Sequence, residues 1–227
     1  MDPHRRIIVA LDRSSRDEIL SLADRLTGVV GMMKLGLQAF VSNGPGIVEE
    51  LRAREIDVFL DLKFHDIPNT VLHAVQESVR LGVSLLTVHT SGGPDMLRAA
   101  AEGARGSATR VLGVTILTSH DADSLAEVGI RDSVEESVLR LAGVAARSGI
   151  DGVVASPLEI RSIREQQGEG FLIVTPGIRS STDAAGDQRR TMSAGEALDA
   201  GADYLVIGRP ITGAADPAEA ARLLISR

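Results

Sequence analysis

The sequence predicts a single-domain (β/α)8 TIM barrel over residues 1–227, and three observations support this fold class. Short β-branched runs alternate with helical patterns of about 10 to 20 residues, which is the rhythm of βα units around a parallel sheet. Eight such pairs fit into the 227 residues, and this length is typical of the barrel. The turn after the first run, at residues 11–14, lacks the glycine fingerprint of a dinucleotide-binding, doubly wound sheet.

The strands are predicted where short apolar runs lie between turn-forming residues. They fall at residues 6–11, 31–35, 58–62, 85–89, 111–117, 152–155, 172–175 and 204–207. Helical patterns fill the segments between them, at residues 15–26, 44–54, 67–81, 95–103, 134–148, 157–166, 193–200 and 217–226. Two long irregular loops are predicted after strands five and seven, at residues 118–132 and 176–191. Both lie at the carboxyl end of the barrel, where active sites of this fold are built.

Composition narrows the function classes. The formal net charge of -7 argues against nucleic acid or an anionic membrane as a partner, because both favour a basic surface. Cysteine is absent, which excludes disulfides, thiolate metal ligands and cysteine nucleophiles. The charged start at residues 1–6 and the lack of a long apolar stretch indicate neither a signal segment nor a membrane span. A cytoplasmic enzyme or binding protein is therefore expected.

The third strand ends in the segment DLKFHDIPNT at residues 61–70, which sets two carboxylates around one lysine. Alternate residues of a strand share a face, so Asp61 and Lys63 should point the same way while Leu62 points into the opposite layer. A carboxylate next to the ammonium keeps the lysine charged in a poorly hydrated site, and Asp66 supplies a second one. The pattern predicts a reaction centre; the alternative is an ordinary ion pair at a surface strand end.

Two further charged residues fall at strand ends that meet at the barrel mouth. Lys34 lies inside the apolar second strand, which is an unusual place for lysine unless it is paired at the mouth. The alternative is that its side chain extends outward between helices. Asp12 ends the first strand, where it either joins the charged array or forms a turn or helix cap.

An anion site is predicted at the ends of strands seven and eight, where barrels of this type often hold phosphate. Gly208 lets the backbone approach a ligand, and Arg209 can make two hydrogen bonds to phosphate oxygens. The loop after strand seven offers Arg179 and Gln188. The alternative is that the GRP sequence forms only a tight turn and that the arginines lie in solvent.

Taken together, these motifs resemble the orotidine 5'-phosphate decarboxylase family, and the resemblance runs nearly from end to end. The third-strand segment at residues 61–70 combined with GRPIT at residues 208–212 is its most specific part. The other matching segments are residues 10–12, 34–36, 88–93, 114–119 and 175–179. Thr90 and Ser180 depart from the family pattern, which has alanine and proline there, and neither carries a proposed functional group.

The resemblance implies the roles of the residues at the reacting centre. Lys63 would donate the proton to C6 of the pyrimidine as carbon dioxide leaves, and Asp61 would face the substrate carboxyl group. Lys34 would join the charged array and contact the ribose. Asp12 would bind a ribose hydroxyl, and Thr118 would form a hydrogen bond with the pyrimidine.

The resemblance also implies a phosphate site, a homodimer and no cofactor. Asp66 and Thr70 would reach into the site of the neighbouring subunit. Gln188, Arg209 and the backbone of Gly208 would hold the phosphate, with Arg179 nearby on the closing loop. His65 and His89 invite a role as acids or metal ligands, but isolated histidines near strand ends are more often structural.

Two alternative functions remain. A magnesium-dependent sugar-phosphate decarboxylase or aldolase of the same barrel family would share the third-strand motif. Lys34 argues against it because a lysine would repel Mg²⁺ where these relatives place an acidic ligand. A non-catalytic phosphate-binding barrel should lack at least one member of the charged array, yet Asp12, Lys34, Asp61, Lys63 and Asp66 are all present.

Overall fold

Eight parallel strands close into a barrel surrounded by helices, as the sequence predicts. The computed structural model describes residues 3–178 and 192–224. The strands follow one another around the barrel in chain order, and the last pairs in parallel with the first. The carboxyl ends of all eight strands therefore meet at one mouth.

The barrel strands are three to seven residues long. They are β1 Ile7–Ala10, β2 Met32–Gly36, β3 Val58–Phe64, β4 Leu85–His89, β5 Arg110–Val114, β6 Gly152–Val154, β7 Leu172–Thr175 and β8 Tyr204–Ile207.

The α-helices run between the strands and after the last one. They are α1 Arg16–Leu26, α2 Leu37–Asn43, α3 Gly46–Ala53, α4 Pro68–Arg80, α5 Gly93–Ala104, α6 Ala122–Glu127, α7 Val134–Arg147, α8 Ile160–Gln167, α9 Ala194–Asp199, α10 Arg209–Thr212 and α11 Pro217–Leu223. Short 3-10 helices lie at Pro3–Arg6, Thr90–Gly92 and Pro157–Glu159. No helix in the described ranges is long and apolar enough to cross a membrane.

Several predicted boundaries need correction. Strand β5 ends at Val114 rather than at residue 117. The backbone N–H of Thr115 makes the last ladder bond, to the carbonyl of Val154, and the Thr115 hydroxyl donates to the same oxygen. The predicted loop at residues 118–132 contains α6, whose Asp121 cap is reinforced by Ser124. Helices α2 and α10 were not predicted either. With seven and four residues, they are too short for a clear period to show in the sequence.

Polar side chains fix the starts of several helices. Ser15, Ser133 and Ser193 each accept a hydrogen bond from the backbone N–H three residues later. These caps satisfy donors that a helix cannot pair within itself. Because Ser15 caps α1, Asp12 does not act as the cap of this helix.

Two apolar layers form the core. Inside the barrel lies a small cluster that consists of Ile8, Met32, Phe59, Leu85, Leu112 and Val174. A larger cluster fills the space between the strands and the helices. The inner layer closes the barrel below the mouth. The next inward-facing residues, two positions further along each strand, therefore form the floor of the site.

At the opposite end of the barrel, Arg164 joins the last two strands. Its side chain donates to the carbonyl groups of Gly168, Phe171 and Gly201 at 2.7 to 2.8 Å. It also contacts Asp203 at 2.7 Å, and the same carboxylate accepts the backbone N–H of Ile173 at 2.8 Å. One largely buried guanidinium thus fixes the starts of β7 and β8 far from the mouth.

Candidate active site

A cavity of about 560 Å³ opens at the barrel mouth and has two kinds of wall. One side carries the charged ends of β1, β2 and β3, including Asp12, Lys34, Asp61 and Lys63. The opposite side is apolar and includes residues from the ends of β5 and β6. An arrangement with a few convergent charges and an apolar wall is typical of a small-molecule site.

Four side chains form an alternating array of acids and bases. The ammonium nitrogen of Lys63 lies 2.8 Å from Asp61 Oδ1. Lys34 Nζ lies 3.1 Å from Asp12 Oδ1 and 3.6 Å from Asp61 Oδ2. Lys34 is only 8% exposed, so it points into the mouth and not outward between helices. The structure thus brings together the four residues that the sequence placed here.

Opposing effects determine the charge state of Asp61. Burial by itself would raise the pKa of Asp61. The charges of Lys34 and Lys63, with hydrogen bonds from Lys63 and Thr87, outweigh burial and lower this pKa below its ordinary value. Asp61 is therefore an anion at neutral pH, and it faces two cations in a poorly hydrated site.

The backbone of β3 is irregular where it carries the array. Pairing with β4 runs from Leu60 opposite Leu86 directly to Phe64 opposite Val88, so residues 61–63 face the single residue Thr87. Lys63 has a φ of 54°, a left-handed conformation that costs a non-glycine residue about 1–2 kcal/mol. Leu62 still packs against the outer core, as simple alternation predicted.

Asp66 and Thr70 lie beyond the mouth of their own chain. Both are exposed, and neither lines the cavity. Pro68 occupies the first turn of α4 and Asp66 accepts the backbone N–H of Ile67 at 2.6 Å, so the chain turns outward just after Lys63. Ile67 is an apolar residue that is 67% exposed at this edge.

The predicted anion site is described only in part. Gly208 and Arg209 line the cavity at the start of α10, and Thr118 lines it after β5. Among the residues that the structure describes, a Cβ at Gly208 would meet only the side chain of Ala10, at 3.7 Å, which is an ordinary van der Waals contact. Arg179 and Gln188, together with most of the predicted loop at residues 176–191, lie outside the described residues.

His65 and His89 lie beside each other outside the cavity lining, with His65 exposed and His89 partly buried. Their ring centroids are 5.5 Å apart, with the ring planes tilted by 39°. Burial lowers the pKa of His89, and the charges of His65 and Lys63 add to that effect. A neutral imidazole is thus favoured at His89. Among the described residues, no group of three or more acidic or histidine side chains could hold a metal ion.

Sequence reasoning missed three residues at the site. Thr87 is completely buried and bonds to both Asp61 and Lys63. At Gly36, a Cβ would lie 2.9 Å from Lys34 Nζ, so the glycine leaves room for the Lys34–Asp12 pair. Arg13 lines the cavity next to Asp12. Thr87 follows Leu85 by two positions on the inward face of β4, but a threonine in a strand gives no functional signal by itself.

The fold and this site define the chain as a (β/α)8-barrel protein with a charged small-molecule pocket at its mouth. The profile of the orotidine 5'-phosphate decarboxylase / HUMPS family matches residues 5–224, and the chain belongs to this family.

Named relatives and solved structures agree with this family. Proteins named orotidine 5'-phosphate decarboxylase from Trichlorobacter lovleyi and Moorella thermoacetica are each 52% identical to the chain. The first alignment covers 97% of this chain and 93% of the relative, and the second covers 96% and 90%. A crystal structure of orotidine 5'-phosphate decarboxylase from Lactobacillus acidophilus is 36% identical, with a TM-score of 0.86 over 97% of both chains.

Proposed function

We propose that this chain is a lyase that decarboxylates orotidine 5'-phosphate to UMP, the last step of de novo pyrimidine nucleotide synthesis. The observation that carries the proposal is the array of Asp12, Lys34, Asp61 and Lys63 around one cavity. Relatives that are 52% identical over nearly the whole chain bear the name of this activity. The protein is proposed to work in the cytoplasm.

The charged array suits a reaction that leaves a carbanion behind. Loss of carbon dioxide from the orotate ring leaves negative charge at C6, and no carbonyl group is placed to delocalise it. A preorganised cation next to C6 stabilises that charge in the transition state and then donates its proton. Lys63 is this cation, since Asp61 holds its ammonium at 2.8 Å. Asp61 faces the substrate carboxylate, and the repulsion between them is relieved as carbon dioxide leaves.

The substrate phosphate binds away from the reacting carbon. Arg209 and the backbone of Gly208 line the cavity at the end of β8, next to β1. Gln188 is proposed to bind the phosphate as well, with Arg179 nearby on the same loop. Binding energy from a remote phosphate can close loops and exclude water from the reacting centre. Asp12 and Lys34 hold the ribose, and Thr118 holds the pyrimidine.

Charge distinguishes this reaction from that of a magnesium-dependent relative. Mg²⁺ prefers carboxylate and water oxygens, and it would have to bind near Asp61. The ammonium of Lys34 already lies 3.6 Å from Asp61 and would repel a second cation there. The decarboxylation proposed here uses the cationic side chains of the protein and needs no cofactor.

The functional unit is a homodimer with shared active sites. Asp66 and Thr70 are exposed outside the cavity of their own chain, next to the exposed Ile67. In a two-fold dimer, the same edge of each chain can supply its residues reciprocally to the partner. Each site then contains Lys63 of one chain and Asp66 of the other.

The test is to mix the purified protein with orotidine 5'-phosphate and to follow the pyrimidine absorbance with and without EDTA. We expect conversion to UMP at equal rates in both cases. Loss of activity in EDTA would favour the magnesium-dependent relative, and absence of conversion under both conditions would contradict the proposed function.

A further inference from the structure

Thr87 contacts both features that make the site unusual. These are the irregular pairing of β3 with β4 at residues 61–63 and the ion pair between Asp61 and Lys63. The Thr87 hydroxyl accepts the backbone N–H of Lys63 at 2.9 Å and donates to Asp61 Oδ1 at 3.0 Å. Its side chain is completely buried. A hydroxyl has one proton and two lone pairs, so it can make both bonds at the same time.

The register explains why this hydroxyl is needed. Residues 61–63 of β3 face only Thr87 of β4, so this part of the strand lacks a regular ladder partner. The left-handed backbone at Lys63 is a conformation that persists only where neighbouring groups hold it. Thr87 binds that backbone directly and connects it to the carboxylate that also binds the Lys63 ammonium at 2.8 Å.

We propose that Thr87 is a positioning residue that fixes both ends of Lys63 relative to Asp61, and so sets the place from which the ammonium acts. This inference rests on the proposed decarboxylation. Thr87 points at the backbone of Lys63 and at Asp61, and both its bonds are made within the protein. Its contribution is therefore to the geometry of the donor and less to the affinity for a nucleotide.

The experiment compares Thr87→Val, which keeps the shape and removes the hydroxyl, with Thr87→Ser, which restores it. The control is Thr109→Val, because the Thr109 hydroxyl is also buried and donates to the carbonyl of Val83 at 2.7 Å, but at the opposite end of the barrel. For each variant, kcat, KM, the Kd for UMP and the midpoint of thermal unfolding are measured. Thr87→Ala replaces the valine variant if that variant does not fold.

We expect kcat of Thr87→Val to fall about 10- to 100-fold, since hydrogen bonds to charged groups are strong, while the Kd for UMP changes less than about threefold. Thr87→Ser should recover most of the activity. Loss of the bond to Asp61 should also move the acid limb of the kcat/KM profile to higher pH, because the carboxylate then protonates more easily.

Thr109→Val should lose thermal stability but keep kcat. The proposal is wrong if Thr87→Val keeps a kcat within about twofold of wild type, or if Thr87→Ser is as slow as Thr87→Val. All rates are compared with the wild type. An inactive wild type would therefore contradict the proposed function, whereas an active wild type with an equally active Thr87→Val would contradict only the role of Thr87.

Discussion

At the scale of single residues, the acids and bases of the charged array lie close enough for the charge state and position of each to depend on its neighbours. Asp61 forms ion pairs with Lys63 at 2.8 Å and with Lys34 at 3.6 Å, and Lys34 forms a second ion pair with Asp12 at 3.1 Å. Removing one member therefore leaves a buried charge only partly compensated, which is costly in a poorly hydrated site. Effects of substitutions in the array should not be additive.

Replacing Lys63 should separate chemistry from binding. Lys63→Ala removes the cation that stabilises the carbanion, so we expect kcat to fall by at least about 10³-fold, the upper range for loss of one electrostatic contact. The Kd for UMP should stay measurable because the proposed phosphate and ribose contacts remain. Steady-state kinetics and calorimetric titration with UMP check both expectations. Turnover within a few fold of wild type would remove Lys63 from the mechanism.

At the scale of elements, the sequence predicted correctly which side chains of one strand share a face, because that depends on the strand alone. Period-two alternation placed Asp61 and Lys63 on one face and Leu62 on the other, and the structure confirms this. The bulge opposite Thr87 could not be predicted, because it depends on how β3 pairs with a strand more than 20 residues away. A threonine in a strand is also common, so Thr87 gave no signal until the register was known.

Helices show a similar limit. The longer ones, such as α4 and α7, were predicted within two residues of their observed ends, because their apolar faces repeat over several turns. Helix α6 has six residues and appeared as a loop in the sequence. Its start depends on the hydrogen bonds between Asp121 and Ser124, which form only once the chain has turned.

The hydrogen bonds of Arg164 at the starts of β7 and β8 give a prediction about stability alone. Arg164→Ala removes four hydrogen bonds and leaves Asp203 without its cation, so the free energy of unfolding should fall by about 2–4 kcal/mol. The control Arg105→Ala breaks an exposed pair with Glu102 and should cost less than about 1 kcal/mol. Urea unfolding measures both. Equal losses in the two variants would show that the Arg164 network adds nothing beyond a surface pair.

At the scale of the whole molecule, the alternation of strands and helices was sufficient to predict a closed barrel, and the barrel then predicted which strand ends would meet. This is why Asp12, Lys34 and Asp61, which lie far apart in sequence, could be placed at one site. The position of Asp66 relative to a partner could not be derived this way. It depends on the contact between two chains, and a barrel pattern contains no information about that contact.

Shared active sites make a prediction that only a mixed dimer can test. If Asp66 acts in the partner's site, a dimer of one Lys63→Ala chain and one Asp66→Ala chain contains one site with both residues intact and one with neither. Random pairing makes half of the dimers mixed, so equal co-expression should recover about a quarter of the wild-type activity. Each variant alone should be much less active.

The matched control for this complementation pairs Lys63→Ala with Asp61→Ala. Both residues lie on β3 of the same chain and touch at 2.8 Å, so neither site of such a mixed dimer is complete and no activity should return. Two different affinity tags, purified in sequence, establish that mixed dimers form in both experiments. If the Lys63→Ala and Asp66→Ala mixture then stays at the sum of its two single variants, Asp66 acts within its own chain and each site is complete without its partner. Recovery in this mixture but not in the control assigns Asp66 to the opposite subunit, because only residues from different chains can complement each other in this way.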